Sequence, residues 1–337
     1  MDKCELVIIG GGPAGLSAGI YAARAAIKTV LLERGIPGGL VIRAQHIENY
    51  PGFENGISGS ELMAQMEKQA RRFGLEIRFA GVKEIQPAGD EIILETDHGR
   101  ISTRAIIVAT GVEPNLLGVK GESEFTGRGV SYCATCDGAF FRGKRVAVVG
   151  GGDAAIEEAI FLTKFAERVF VIHRRGELRA TKIIQQRAFV NPQIEFIWHS
   201  VVDEIQGGDL VESLVLRDVR DHKTTSLAVD GVFIYIGYRP NSNLVKDLVE
   251  LDEKGYIITD ENMHTSRPGV FAAGDIRQKL LRQVVTAVAD GAIAAVAAEK
   301  YLEEFKKWAD EQGYDIELSA KPVYDGRLCE IEGSGRD

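Results

Sequence analysis

Cys133 and Cys136 are the residues of this chain best suited to chemistry. They form a Cys-x-x-Cys pair inside Ser131-Tyr132-Cys133-Ala134-Thr135-Cys136-Asp137-Gly138. Cysteines at this spacing can close a small disulfide ring and open it again, and the pairing lowers the pKa of one thiol enough to make it a nucleophile. Asp137 follows the second cysteine directly. A carboxyl there can supply or remove a proton, or it can cap a helix that opens after Cys136. The competing reading of the pair is half of a zinc site, which needs a second pair of nitrogen or sulfur ligands at short spacing. The other two cysteines, Cys4 and Cys329, stand alone near opposite ends of the chain, and no His-x-x-x-His partner exists. The pair is therefore read as a redox centre with no metal, and the rest of the chain must supply it with electrons.

The elements around the pair suggest how. Cys4 to Ile9 is a short apolar run, read as a buried parallel strand that opens into Gly10-Gly11-Gly12-Pro13-Ala14-Gly15. An Ala-rich helix, Leu16 to Ala26, follows, and then a strand, Thr29 to Leu32, ending on Glu33. Strand, G-x-G-x-x-G, helix, strand and acid together form a dinucleotide-binding unit. Its glycines let backbone approach a pyrophosphate at a helix N-terminus, and the acid takes ribose hydroxyls. After the cysteines the pattern restarts: strand Arg145 to Val149, loop Gly150-Gly151-Gly152-Asp153-Ala154-Ala155, helix Ile156 to Phe165 and strand Val169 to Ile172. The repeat goes deeper, because Ile106 to Asn115 and Phe233 to Asn241 are both apolar strands leading to Gly-x-x-Pro-Asn. A repeat this long is domain duplication rather than a solenoid.

The copies differ at the second strand end. Where the first has Glu33, the second has His173, followed by Arg174, Arg175 and Arg179. An acid accepts from a 2′-hydroxyl and repels a 2′-phosphate, whereas arginines bind that phosphate through charge-assisted hydrogen bonds. The first site thus suits FAD and the second NADPH. Between the copies, Glu61 to Phe73 reads as an amphipathic helix. Glu76 to Phe79, Ile92 to Glu95 and Ile101 to Thr103 read as a small antiparallel sheet, and Ala105 to Val108 as another buried strand. Phe271 to Asp275 reads as a strand ending in an acid, and Arg282-Gln283-Val284 opens a helix to about Phe305, beyond which the composition turns polar.

The whole chain sets the bounds. Its 337 residues suggest two domains, and 45% hydrophobic residues suffice for ordinary cores. A net charge of −9 and a pI near 5.4 argue against a nucleic acid or an anionic membrane surface as partner. Four cysteines in this length are no disulfide framework, which fits a reducing cytosol. The chain runs from Met1 into a strand without a signal-peptide pattern, and no apolar run approaches the ~18 residues of a membrane helix. A cytoplasmic protein is expected.

Taken together, these motifs resemble the low-molecular-weight, bacterial and archaeal type of thioredoxin reductase, over residues 1 to about 304. Cys-Ala-Thr-Cys-Asp-Gly inside a second nucleotide-binding domain is specific to that group; glutathione-reductase-like relatives carry the pair near the first glycine loop. The resemblance implies an α/β fold of two Rossmann-like, three-layer dinucleotide-binding domains. Residues 1–113 with 246–304 would bind FAD, residues 118–241 would bind NADPH and carry the cysteines, and 305–337 would be a tail. It implies a homodimeric flavoenzyme that passes hydride from NADPH to FAD and electrons onward to the cysteine pair and to thioredoxin. The domains would move about hinges near 113–118 and 241–246, with Cys136 the sulfur that faces the flavin. The positions matching the family's FAD contacts are Gly10, Gly12, Pro13, Ala14, Gly15, Glu33, Gly39, Asn49, Val82, Ala109, Thr110, Gly111, Asp275, Arg282, Gln283 and Val284. Those matching its NADPH contacts are Gly150, Gly152, Asp153, Ala154, Ala155, His173, Arg174, Arg175, Arg179 and Gly237. The chain departs from the family at Leu40, where Gln is usual, and at Ala154, where Ser is usual. A reductase of another disulfide carrier, glutaredoxin-like or a peroxidase's redox module, shares every one of these motifs. A redox sensor that regulates a partner shares the cysteine pair but has no need of an electron relay.

Overall fold

The structure, a computed structural model, describes residues 1–44 and 47–311; Cys329 and most of the expected tail lie outside the described residues. The chain forms two compact units. One is Met1–Val112 together with the chain from Pro240 onward, and the other, Glu113–Arg239, is inserted into it.

The first unit opens with β1 (Asp2–Lys3), β2 (Leu6–Ile9), α1 (Pro13–Arg24) and β3 (Thr29–Glu33). All four residues of β2 are buried: Leu6 and Ile8 pack into the core beneath the helices, Val7 and Ile9 into the core on the other face. A strand covered on both sides has no polar face, and this explains the unbroken apolar run. α2 (Gly59–Arg72) starts at Ser58, whose hydroxyl accepts from the Glu61 amide at 3.2 Å. Its Leu62, Met63, Met66 and Ala70 face the core. β4 (Glu76–Phe79) is followed by the antiparallel β5 (Val82–Ala88), β6 (Glu91–Thr96) and β7 (Gly99–Thr103), and then by the buried β8 (Ala105–Val108). β9 (Val112–Pro114) leads out of the unit.

The inserted unit runs β10 (Val130–Ser131), α3 (Ala134–Asp137), β11 (Arg145–Gly150), α4 (Asp153–Leu162), β12 (Arg168–Ile172), α5 (Lys182–Phe189) and β13 (Ile194–Ile197). An antiparallel layer, β14 (Ser200–Gly207), β15 (Val211–Asp218) and β16 (Thr224–Ala228), precedes β17 (Gly231–Tyr235). Its parallel sheet has the order β10-β17-β11-β12-β13. Val146, Val148 and Phe233 pack toward the helices, while Ala147, Val149 and Ile234 pack toward the antiparallel layer. The result is three layers.

The return strand β18 (Tyr238–Pro240) pairs with β9. β19 (Val270–Ala272) and the long α6 (Val284–Glu311) then complete the first unit, whose parallel sheet reads β19-β8-β2-β3-β4. The two sheets share one topology: β2, β3, β4 and β8 occupy the places of β11, β12, β13 and β17, the order of a dinucleotide-binding fold. The repeat in the sequence is thus a repeat in space. α6 runs past Phe305, where the composition turns polar. Ala309 is buried, Trp308 packs on Phe305 with ring centroids 5.6 Å apart, and Lys306 pairs with Glu5 at 2.8 Å. Polar residues there clothe one side of a helix whose other side is still docked. Among the described residues no helix is long and apolar enough to cross a membrane, and no cluster of side chains could hold a metal ion.

Candidate functional site

The inserted unit holds the cysteine pair. Cys133 and Cys136 form a disulfide with Cα atoms 5.3 Å apart. The short helix α3 opens directly after Cys133, whose Sγ accepts from the Cys136 amide at 3.2 Å. Tyr235, at the end of β17, pins the same turn: its hydroxyl accepts from the Ala134 amide at 2.8 Å. Cys133 is buried and Cys136 is exposed, with the exposed ring of Phe140 close behind it in the chain. Asp137 ends α3 and stands at the N-cap of the 3-10 turn Gly138–Phe141, but its side chain makes no capping hydrogen bond there. Its Oδ2 instead accepts from the Ser131 hydroxyl at 2.7 Å, and Ser131 Oγ also accepts from the Cys133 amide at 3.0 Å. Asp137 Oδ1 has no hydrogen-bond partner among the described residues. Ser131 and Tyr235 were not singled out from sequence. Their only signal was adjacency to the pair in one case and a strand end in the other.

The glycine loop of this unit lies between β11 and α4. α4 is capped by Gly152 with no side-chain cap, and a Cβ on Gly152 would meet nothing within 4 Å, so the loop's outer face is open and its amides are uncommitted to side chains. Asp153 Oδ1 accepts from the Thr181 amide at 2.6 Å. Arg179 is held to the loop through its own amide, which donates to Gly151 O at 2.7 Å. Arg174, Arg175 and Arg179 are exposed, and their guanidinium groups make no hydrogen bond or ion pair among the described residues. His173 differs. It is buried, its ring lies where a Cβ on Gly151 would go, and Nε2 has no hydrogen-bond partner among the described residues. Burial, with Arg179 beside it, holds the His173 pKa below its ordinary value, which favours the neutral ring. Gly237 takes φ 103°, and its carbonyl accepts from the Asn115 amide at 2.9 Å.

The other unit holds the first loop. Gly10 has φ 108° and lies so close to the Ala109 carbonyl that no side chain fits, while a Cβ on Gly12 would meet nothing within 4 Å. Pro13 starts α1, where a missing N–H costs nothing. A Cβ on Gly15 would strike the Gly10 carbonyl, so helix and loop approach as closely as backbone allows. Glu33 Oε2 accepts from the Gly11 amide and Oε1 from the Gly35 amide, both at 2.8 Å, which fixes the carboxylate beside the loop. The Gly38 amide donates to Gly11 O at 2.8 Å, bringing Gly39 alongside. The Ala80 amide donates to Glu33 O at 2.9 Å, so Val82 opens β5 at the same strand end.

Ala109, Thr110 and Gly111 follow β8; Thr110 Oγ1 donates to Asn241 O and Asn241 Nδ2 to Thr110 O, each at 3.0 Å. Asn49 Nδ2 donates to Gln283 Oε1 at 3.2 Å, and Arg282 stacks on Tyr256 with Nε 3.4 Å from Asp275 O. Asp275 Oδ1 is buried without a hydrogen bond among the described residues. A glycine-lined loop at a helix N-terminus, a fixed acid at the next strand end and an unsatisfied carboxylate oxygen are the groups that a dinucleotide's pyrophosphate and hydroxyls require, so FAD fits this donor set. The spacing of the Gly-x-x-Pro-Asn repeats did not reveal how they are used. The Asn115 amide bonds the Gly237 carbonyl and the Asn241 amide bonds the Gly111 carbonyl at 3.0 Å, so each motif closes on the glycine of the other.

Fold and sites together define an oxidoreductase with two dinucleotide sites and a redox-active disulfide. The family model for pyridine nucleotide-disulphide oxidoreductases matches residues 4–291. The chain is 50% identical over 306 residues to the thioredoxin reductase of Peptoclostridium litorale, covering 89% of this chain and 97% of that protein. Among solved structures, Lactococcus lactis thioredoxin reductase superposes with a TM-score of 0.87 at 48% identity, and the T. acidophilum thioredoxin reductase with 0.85 at 36%; each comparison covers 89% of this chain and 99% of the other. The chain belongs to the pyridine nucleotide-disulphide oxidoreductase family, in its low-molecular-weight thioredoxin reductase group, whose enzymes use FAD and NADPH.

Proposed function

We propose that the chain reduces thioredoxin, or a similar small dithiol protein, as a cytoplasmic homodimer. The observation that carries this reading is the Cys133–Cys136 disulfide, in which Cys133 is buried and held by two side-chain-anchored turns and Cys136 is exposed, with an exposed Phe140 four positions on in the chain. An exposed cysteine with an exposed aromatic on the same short turn of chain suits a protein substrate better than a small thiol. The inserted unit takes NADPH: Gly150 to Ala155 offer backbone amides to the pyrophosphate, Arg174, Arg175 and Arg179 take the 2′-phosphate, and His173 and Gly237 shape the pocket floor and rim. The other unit takes FAD. Gly10 to Gly15 hold its pyrophosphate and Glu33 its adenosine ribose, while Gly39, Asn49, Val82 and Ala109 to Gly111 line the site. Asp275 accepts a hydroxyl, and Arg282, Gln283 and Val284 bring up the positive end of α6. When bound, FAD supplies two-electron exchange between the nicotinamide and the disulfide.

The protein's own steps are few. Two electrons and two protons convert the Cys133–Cys136 disulfide into two thiols. One thiolate attacks a sulfur of the substrate disulfide, and the second cysteine displaces the substrate as its dithiol, closing the Cys133–Cys136 bond again. Asp137 exchanges the proton at the leaving sulfur, with Oδ2 held by Ser131 and Oδ1 left for the transfer. Val285, Ile293 and Val296 lie exposed along one side of α6, and this supports a second copy as partner.

Anaerobic titration of FAD-loaded protein with NADPH, followed by assay against small dithiol proteins, tests the reading. Flavin bleaching and turnover of thioredoxin are expected. Bleaching without thioredoxin turnover moves the substrate to another disulfide carrier, and a protein that cannot be reconstituted with FAD overturns the reading.

A further inference from the structure

The loop between β19 and α6 inverts the usual partition of side chains. Leu280 is fully exposed and Leu281 half exposed, while the side chain of the adjoining Lys279 is only 8% exposed. A lysine is buried at such cost only when its charge is matched. Here the match is specific. Nζ lies 3.0 Å from Asp290 Oδ2 and 3.3 Å from Thr286 Oγ1, both on α6, and 3.5 Å from Asp275 Oδ1. Asp290, itself buried, also accepts from the Gly274 amide at 3.1 Å and pairs with Arg277 Nε at 3.3 Å. Asp290 therefore fixes both the ammonium and the backbone immediately before Asp275. Asp275 Oδ1 lies at ion-pair distance from Lys279 yet makes no hydrogen bond among the described residues, and its side chain is one-third exposed, so the oxygen is oriented and unsatisfied.

We propose that Lys279, anchored by Asp290, is a positioning residue that keeps Asp275 ionised and aimed as the acceptor for a hydroxyl of bound FAD. The inference rests on the reading that this unit holds FAD. The charges facing Asp275 are Lys279 and Arg282, which favour its ionised form, and Asp290, which opposes it; Arg277 faces Asp290 from the same loop. Burial is the largest influence and raises the Asp275 pKa, and Lys279 is the leading charge working against that rise. Without the ammonium, two carboxylates share one buried corner, and Asp275 is the one that takes up a proton as pH falls. A protonated carboxyl accepts a weaker hydrogen bond than a carboxylate, because charge assistance roughly doubles such bonds.

The test is the affinity of the apoprotein for FAD, read from flavin fluorescence between pH 5.5 and 8.5. The unmodified protein is expected to bind with little dependence on pH. Lys279→Met is expected to bind about tenfold more weakly at the acid end, the size of one lost charge-assisted contact, and to recover toward the alkaline end. Lys279→Arg restores the flat profile. In an Asp275→Asn background Lys279→Met has no further effect. If the methionine variant does not fold, Lys279→Gln carries the same measurement. A loss of equal size at every pH, or one that persists undiminished in the Asp275→Asn background, overturns the proposal. Failure of the unmodified apoprotein to bind FAD instead overturns the assignment of the FAD site.

Discussion

Ser131 fixes what Asp137 is able to do. With Oδ2 engaged by the Ser131 hydroxyl at 2.7 Å, the carboxylate cannot rotate freely, and its other oxygen is presented from the end of the cysteine turn. Asp137→Asn keeps the shape and a hydrogen bond to Ser131 but cannot carry a proton. It is expected to slow disulfide reduction by about 100-fold, the usual contribution of a placed acid or base, while leaving flavin reduction by NADPH unchanged. Stopped-flow measurement of the two half-reactions checks this; equal slowing of both would show that the substitution disturbs more than proton transfer. Replacing either cysteine has a sharper outcome, since no disulfide can then form. Cys133→Ser and Cys136→Ser should each bleach flavin with NADPH yet reduce no thioredoxin, and a Cys133→Ser protein at full turnover would sink the redox assignment. The cysteine pair was legible in the sequence because its chemistry follows from residue type and spacing. Ser131, Tyr235, Lys279 and Asp290 were not, because each acts through a contact made only after folding. Tyr235 reaches Ala134 from 101 positions away.

At the scale of elements, α1 and α6 cross where three small residues meet. A Cβ on Gly274 would lie 2.8 Å from Ala14 Cβ, and one on Gly291 would strike the Ala14 carbonyl itself. This crossing brings the N-terminus of α1 and the start of α6 to one place. Gly291→Ala must push α6 off α1; overpacking of this kind costs about 1–3 kcal/mol, so a lower Tm of the apoprotein and weaker FAD binding are expected together. Calorimetry with and without FAD checks both. α4 carries a different tension. Burial, with Glu157 adjacent, pushes Glu158 up to about 7, and its Oε2 has no hydrogen bond. The folded-state pKa is raised above the unfolded one, so the stabilisation by the neutral carboxyl is fully present at acid pH and is lost as pH rises through about 7. Glu158→Gln is therefore expected to be more stable than the unmodified protein at pH 8, by on the order of 2 kcal/mol, and to lose that advantage near pH 5. Urea unfolding of both proteins at the two pH values decides it, and a gap independent of pH would mean that Glu158 ionises freely in the folded state.

At the scale of the molecule, duplication explains why so much of the architecture could be read in advance. Strands covered on both faces give apolar runs, glycine loops mark where they turn, and a second copy of the pattern tests the first. What stayed hidden was pairing across the repeat. The reciprocal bonds between Asn115 and Gly237 and between Asn241 and Gly111 join residues distant in the chain, the first within the inserted unit and the second within the other, and neither motif carries a sign of it. The same duplication sharpens the matter of the reductant, because the two units present the same strand end with opposite charge. Glu33 is clamped by two amides beside the first loop, whereas three guanidinium groups without a partner among the described residues stand beside the second, and the histidine among them is buried and favoured neutral. On the proposed reading, the charge that would meet a 2′-phosphate is that of Arg174, Arg175 and Arg179. Each charge-assisted contact to a 2′-phosphate is worth roughly 1.5–3 kcal/mol, so two of them favour NADPH over NADH by about 100-fold or more. Neutralising Arg174 and Arg175 together should raise the KM for NADPH steeply and leave that for NADH little changed. It should spare kcat, because the phosphate is remote from the nicotinamide. His173→Asn should move the preference far less, since its buried ring packs against Gly151 of the loop and carries little charge. Steady-state kinetics with each nucleotide settles the point: equal kcat/KM for NADH and NADPH in the unmodified enzyme would mean that this basic turn is only a solvated surface.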